Sequence, residues 1–287
     1  MNPLRALLFV LPLMAILPAS AQDVSDFSGL MAQSSTPNYP PPLKKDFIIK
    51  NFRFESGQVL PELRIHYLAL GNKNGQKVLI LHGSGGQGSD WLWDSFASEM
   101  FGPDQPLDAR KYFIILPDNI GAGKSSRASD GLGAAFPKYT IADSIAAQYK
   151  LVTEGLGITH LRLVMGHSMG GRETWTWGAQ YPDFMDALVP MATSPANWAR
   201  ITETQNTSAA APVLANIKAW VLAINSADDA GNPPERSGIE AAAAQTPHGS
   251  FYVIPKGRGS VGHPTTFVAR LWAGKLGAFL DTVPKAQ

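Results

Sequence analysis

Three stretches of this chain carry side chains that can do chemistry together: Ser168 between Gly166 and Gly170, the pair Asp228 and Asp229, and His263 behind Gly262. A serine hydroxyl becomes a nucleophile when an imidazole takes its proton, and the imidazole needs a carboxylate to fix its tautomer and stabilise its charged form. Ser168 lies in Gly166-His167-Ser168-Met169-Gly170, after the apolar run Leu161 to Met165 and before helix-compatible sequence that Pro182 stops. A strand turning this sharply into a helix strains the residue at its apex and brings neighbouring chain close, so the flanking positions require glycine. Gly166 and Gly170 meet that requirement, and Ser168 is expected to stand exposed above a sheet.

The base must be one of six histidines. With the chain order serine, acid, base, the candidates are His248 and His263. His263, in Val261-Gly262-His263-Pro264-Thr265-Thr266, follows the last expected strand, where a side chain can reach the serine. His248 precedes that strand, at the opposite end of the sheet. It is read, with His66 and His160, as a structural residue, while His82 and His167 are read as shaping the site rather than ionising in it. The acid follows a late apolar run, in Ser226-Ala227-Asp228-Asp229-Ala230-Gly231-Asn232-Pro233, where either aspartate can serve. His82-Gly83-Ser84-Gly85-Gly86 offers a glycine-rich loop, and the backbone N–H groups of Ser84 and Met169 are the expected oxyanion donors.

Two other motifs are decoys. Gly83 to Gly88 fits G-x-G-x-x-G, but it follows the third expected strand, and no acidic residue ends a further strand about 20 residues on to hold a ribose. Gly123-Lys124-Ser125 resembles the end of a phosphate loop, yet Asp118 stands where that motif needs its first glycine. No metal or organic cofactor is expected.

The elements that must position these residues alternate. Phe47 to Phe54 and Glu62 to Leu70 read as a hairpin turning at Gly57. Lys77 to Leu81, Lys111 to Leu116, Leu161 to Met165, Ala187 to Met191, Ala219 to Asn225 and Ser250 to Ile254 are short apolar runs of the kind buried on both faces. Helical stretches lie between them, at Trp91 to Met100, Ile141 to Leu156, Met169 to Tyr181, Glu235 to Ala244 and Thr265 to Leu280. This predicts an α/β fold with a mostly parallel eight-stranded sheet covered by helices on both faces.

The 287 residues are 45% hydrophobic and 16% charged, which suits one well-buried domain. Lys and Arg number 24 against 23 Asp and Glu, without a basic run, so nucleic acid is not an expected partner. Arg5, the apolar run Ala6 to Leu17 and Ala19-Ser20-Ala21 match a secretory signal, predicting cleavage before Gln22 and a periplasmic or secreted protein. About twelve apolar residues fall short of the roughly 20 that span a bilayer, and no membrane span is expected once the signal is removed. Cysteine is absent, which excludes disulfides and thiolate metal sites. Residues 22–45, with Tyr39-Pro40-Pro41-Pro42, read as an extended linker, residues 46–287 as the domain, and residues 193–218 as a short lid carrying Pro195 and Trp198.

From Lys77 to about Trp272 the chain resembles α/β-hydrolases. Between Lys77 and Ala192, through KYFIILPDNIGAGKSS and FPKYTIADSIAAQYKLVTEGLGITHLRLVMGHSMGGRETWTWGAQYPD, it is similar to the homoserine O-acetyltransferase branch. The resemblance implies the fold and a nucleophile at Ser168. Analogy with the acid loop of related hydrolases favours Asp229, with Asp228 as a turn residue or helper, and places Asp118 in a structural loop. Three departures point away from acetyl transfer. That branch usually has glycine where His167 stands; only 26 residues, Thr193 to Lys218, separate the sixth and seventh strands; and an exported enzyme would lack cytosolic acetyl-CoA. The expected function is therefore an exported serine hydrolase cleaving a small carboxylic ester or related acyl compound, with an acyltransferase as the alternative and a non-catalytic binding protein as a third reading.

Overall fold

The computed structural model describes residues 29–195 and 214–285. Eight strands form one sheet: β1 Leu43–Arg53, β2 Val59–Gly71, β3 Gln76–Leu81, β4 Tyr112–Pro117, β5 Leu161–His167, β6 Met185–Met191, β7 Trp220–Ser226 and β8 Gly249–Ile254. Their spatial order is β1-β2-β4-β3-β5-β6-β7-β8. β1 and β2 pair antiparallel, β2 also runs antiparallel to β4, and every pairing from β4 through β3 to β8 is parallel. The parallel strands therefore deliver their carboxyl ends to one edge, where a doubly covered sheet binds its ligands.

Alternation along the central strands divides the core. Val78 and Ile80 of β3 face one apolar cluster with Leu163, Met165, Val189 and Ile224, whereas Leu79 and Leu81 face the other with Val164, Leu188 and Val221. Helices cover both sides. α1 Asp94–Met100 and α6 Ala273–Thr282 pack on the first face, while α2 Ile141–Lys150, α3 Met169–Gln180 and α5 Ile239–Ala244 pack on the second. The expected helix over Glu235 to Ala244 is broken into α4 Pro234–Ser237 and α5, because Gly238 adopts φ 72°. The stretch from Thr265 is likewise divided: 3-10 turns at His263–Phe267 and Ala269–Leu271 precede α6.

The start of the domain differs from the sequence reading. β1 begins at Leu43, because Leu43, Lys44 and Lys45 pair with Ala69, Leu68 and Tyr67. Upstream, Leu30 is buried in the core and Gln33 bridges to Trp93. Residues 29–42 thus dock on the domain instead of trailing from it, because Leu30 and Tyr39 find apolar partners there. The expected signal (1–21), the start of the expected linker (22–28) and most of the expected lid, including Trp198, lie outside the described residues. No described helix is long and apolar enough to cross a membrane.

Candidate active site

Ser168 joins β5 to α3 with φ 54° and ψ −111°, a left-handed conformation that side chains rarely adopt. Its N–H donates to the Met191 carbonyl at 2.9 Å, which fixes the turn against β6. A Cβ on Gly166 would run into the backbone of Gly170, and one on Gly170 would overlap the Leu81 carbonyl and lie 2.7 Å from that of His82. The two flanking glycines are therefore required by strand β3 and helix α3 closing on one another. A Cβ on Gly83 would stand 3.5 Å from the Ser168 Cβ, so the glycine-rich loop passes directly over the serine.

Of the two aspartates after β7, Asp229 meets the imidazole. Its Oδ2 lies 2.8 Å from His263 Nδ1, while Oδ1 accepts from the N–H groups of Gly231 and Asn232, each at 2.9 Å. Asp229 is only 1% exposed, and these three contacts satisfy a carboxylate cut off from water. Asp228 turns to the histidine loop: its Oδ2 accepts from the Gly262 N–H at 2.8 Å and its Oδ1 from the Ser226 hydroxyl. Burial pushes the Asp228 carboxyl up, but hydrogen bonds from Ser226, Gly262 and Ser260 outweigh it and hold it below the usual carboxylate range. One aspartate contacts the ring and its neighbour tethers the backbone that carries the ring.

His82 governs the glycine-rich loop. Its Nε2 accepts from the Asn119 N–H at 3.0 Å, so the ring proton sits on Nδ1, which donates to the Gly83 carbonyl at 2.8 Å. That carbonyl shares a trans peptide with the Ser84 N–H, which must point the opposite way. Burial lowers the His82 pKa and keeps the ring neutral. Asp118 holds the same loop from below, accepting from Gly88 N–H at 2.7 Å and Lys124 N–H at 2.8 Å. The resemblance to a phosphate loop is thus replaced by a carboxylate whose oxygens face backbone donors. Met169 opens α3 directly after Ser168, where the helix dipole favours negative charge.

Ser84, Ser168 and His263 line one open pocket of about 600 Å³, together with His167, Arg127 and Phe267. Its apolar wall is continuous: Trp93 lies 4.8 Å from Phe267, Phe267 4.9 Å from His167, and His167 4.6 Å from His263, between ring centroids. His167 Nδ1 is 2.8 Å from the Thr266 hydroxyl, and burial, followed by the neighbouring His263, pulls its pKa well below the ordinary histidine value. It is a neutral wall residue. Trp93 borders the pocket, whereas Trp91, Trp175 and Trp177 are core. His66 and His160 pair with Asp46 and Asp186, and His248 stacks on Trp220.

Sequence reasoning missed a buried polar network behind the nucleophile helix. Glu173 accepts from Asn119 Nδ2 at 2.8 Å and Gln148 Nε2 at 2.9 Å, and Gln148 Oε1 accepts from Trp177 Nε1 at 2.8 Å. Burial raises the Glu173 pKa to about 7 against the pull of Gln148, Asn119 and Arg172. Glutamate on an amphipathic helix ordinarily reads as a solvated face, so only its contacts reveal it. Among the described residues, no metal-holding group of three or more His, Asp or Glu is present.

Residues 77–237 match the family model described as alpha/beta hydrolase fold, and the chain belongs to that family. Within it, the chain is 37% identical over 154 residues to a homoserine O-acetyltransferase of Chlorobaculum parvum, covering 50% of this chain and 42% of that protein. A homoserine O-acetyltransferase of Haloferax prahovense is 33% identical over 167 residues, covering 51% and 39%. The chain thus spans less than half the length of these relatives. Among solved structures, an acetylester hydrolase from Corynebacterium glutamicum superposes with a TM-score of 0.70 at 18% identity, over 84% of this chain and 96% of that one. A homoserine O-acetyltransferase from Staphylococcus aureus gives 0.67 at 16%, over 86% and 98%. At such identities the likeness speaks for the fold alone.

Proposed function

We propose that this chain is an exported serine hydrolase that cleaves a small carboxylic ester through an acyl-enzyme on Ser168. The observation that carries the reading is the 2.8 Å contact of Asp229 with His263 Nδ1, in a pocket that His263 shares with Ser168. With Nδ1–H directed at the carboxylate, His263 Nε2 is left to accept the Ser168 proton. The Ser168 oxygen then bonds to the ester carbonyl carbon, and the N–H groups of Ser84 and Met169 bind the oxyanion. Collapse breaks the bond to the alcohol oxygen, which leaves with the proton from His263. A water molecule repeats the sequence and frees the acid.

An alkyl fluorophosphonate and a series of acyl aryl esters test this on the purified protein. Adduct on Ser168, with ester turnover abolished in Ser168→Ala, supports the hydrolase; absence of both sinks it. An acyltransferase is the second reading, favoured by the relatives named homoserine O-acetyltransferase. It requires an added alcohol acceptor to capture the acyl group faster than water does. Export rests on the pattern from Arg5 to Ala21, and a mature N-terminus at Gln22 in protein recovered outside the cytoplasm is the expected result.

A further inference from the structure

Residues 29–42 lie outside the segment that matches the family model, yet they are fastened beside the pocket. The Leu30 carbonyl accepts from the Ser95 hydroxyl at 3.0 Å, the Ala32 carbonyl from the Asp94 N–H at 2.7 Å, and Gln33 bridges to Trp93. Further along, Asn38 donates to the Ser98 carbonyl at 3.0 Å and the Tyr39 ring meets Phe101 edge-on at 5.7 Å. Met31 is held between two of these anchors. Its side chain remains 45% exposed and borders the same pocket as Ser168 and His263.

An exposed methionine alone means little. Its position gives it meaning: Met31 precedes the Gln33 bridge to Trp93, so the apolar wall from His263 through His167, Phe267 and Trp93 continues onto the docked segment. In ester cleavage the leaving alcohol is the part that the base must protonate, which brings its oxygen to His263 and its alkyl part within reach of the wall that begins there. A flexible, polarisable thioether at the far end suits alkyl chains of varied shape. Backbone anchoring on both sides has already met the cost of ordering it.

Resting on the hydrolase reading above, we propose that Met31 is a specificity-determining residue, gripping the alkyl part of the leaving alcohol against Trp93 and Phe267. The docked segment thereby completes the alcohol side of the pocket for esters with an apolar alcohol of several carbons.

The test varies the two ends of the ester separately. Acetate esters of methanol, butanol and hexanol form one arm, and p-nitrophenyl esters from acetyl to hexanoyl the other, each with wild type, Met31→Ala, Met31→Asp and Met31→Leu. The expected result is a fall on the order of tenfold in the ratio of kcat/KM for hexyl over methyl acetate in Met31→Ala. A larger fall is expected in Met31→Asp and near-complete rescue in Met31→Leu, while the ratio of kcat/KM for p-nitrophenyl hexanoate over p-nitrophenyl acetate, in which the shared leaving group cancels, stays as in wild type. An unchanged hexyl-to-methyl ratio, or a shift that follows the acyl arm instead, overturns the proposal while leaving the hydrolase standing. Wild-type protein that releases alcohol from none of these esters overturns the hydrolase reading and this inference with it.

Discussion

Asp228 and Asp229 are adjacent in the chain and serve the same loop in different ways: Asp229 bonds the His263 ring at 2.8 Å, and Asp228 bonds the Gly262 N–H beside it, also at 2.8 Å. Under the proposed mechanism, Asp229→Asn removes the acceptor that sets the ring's tautomer, and kcat for ester hydrolysis is expected to fall by about 10⁴. Asp228→Asn weakens a backbone tether and is expected to cost less than about tenfold. Steady-state kinetics on one aryl ester decide between them, and the reverse ranking would assign the acid to Asp228.

His82 predicts a positioning effect. His82→Phe keeps a ring in the buried site but removes both the donor to Gly83 and the acceptor for Asn119. If Ser84 supplies an oxyanion N–H, freeing its peptide lowers kcat by about 10² to 10³ with little change in KM. A thermal unfolding scan run in parallel separates this from global destabilisation. A drop in KM affinity with kcat unchanged would reject the positioning role.

Glu173 gives the fold a pH dependence. Its pKa is raised by burial to about 7 in the folded protein, from an ordinary value of 4.5. The native state therefore holds this proton more tightly than the unfolded chain does, and stability falls as pH rises from about 4.5 to 7. Below that window the group contributes no difference, and above it the full penalty is present, on the order of 3 kcal/mol. Urea unfolding at pH 5 and pH 8 is expected to show this loss in wild type and a flatter profile in Glu173→Gln. Equal slopes in the two proteins would show that Glu173 is ionised throughout.

The elbow predicts a steric effect. Gly166→Ala places a methyl group against the Gly170 backbone, which rigid main chain cannot yield, and overpacking of this kind costs about 1–3 kcal/mol. The expected outcome is a lower Tm together with slower phosphonate labelling of Ser168. Unchanged labelling would mean that the turn tolerates a wider geometry than the structure has.

Much of this molecule was legible because its causes are local. Short apolar runs placed six strands and β-rich composition the leading hairpin, and the sterics of a strand-to-helix turn singled out Ser168 between its glycines. Within the stretch 22–45, read as an extended linker, residues 29–42 dock on the domain and Leu43 to Lys45 open β1. Leu30 and Tyr39 are too sparse to show a period, and what fixes them is a set of apolar neighbours such as Phe101, about 60 residues away.

The sequence by itself determined which residues can do chemistry and the order in which strands present them, since both follow from composition, spacing and turn geometry. Only the tertiary structure decided which neighbouring aspartate faces His263, which peptide His82 locks, and that Glu173 is buried. Those outcomes depend on the carboxyl ends of β4, β3, β5, β6 and β7 lying side by side in that order. Strand register sets that arrangement, and with it the few ångströms that separate a bonded carboxylate from its neighbour.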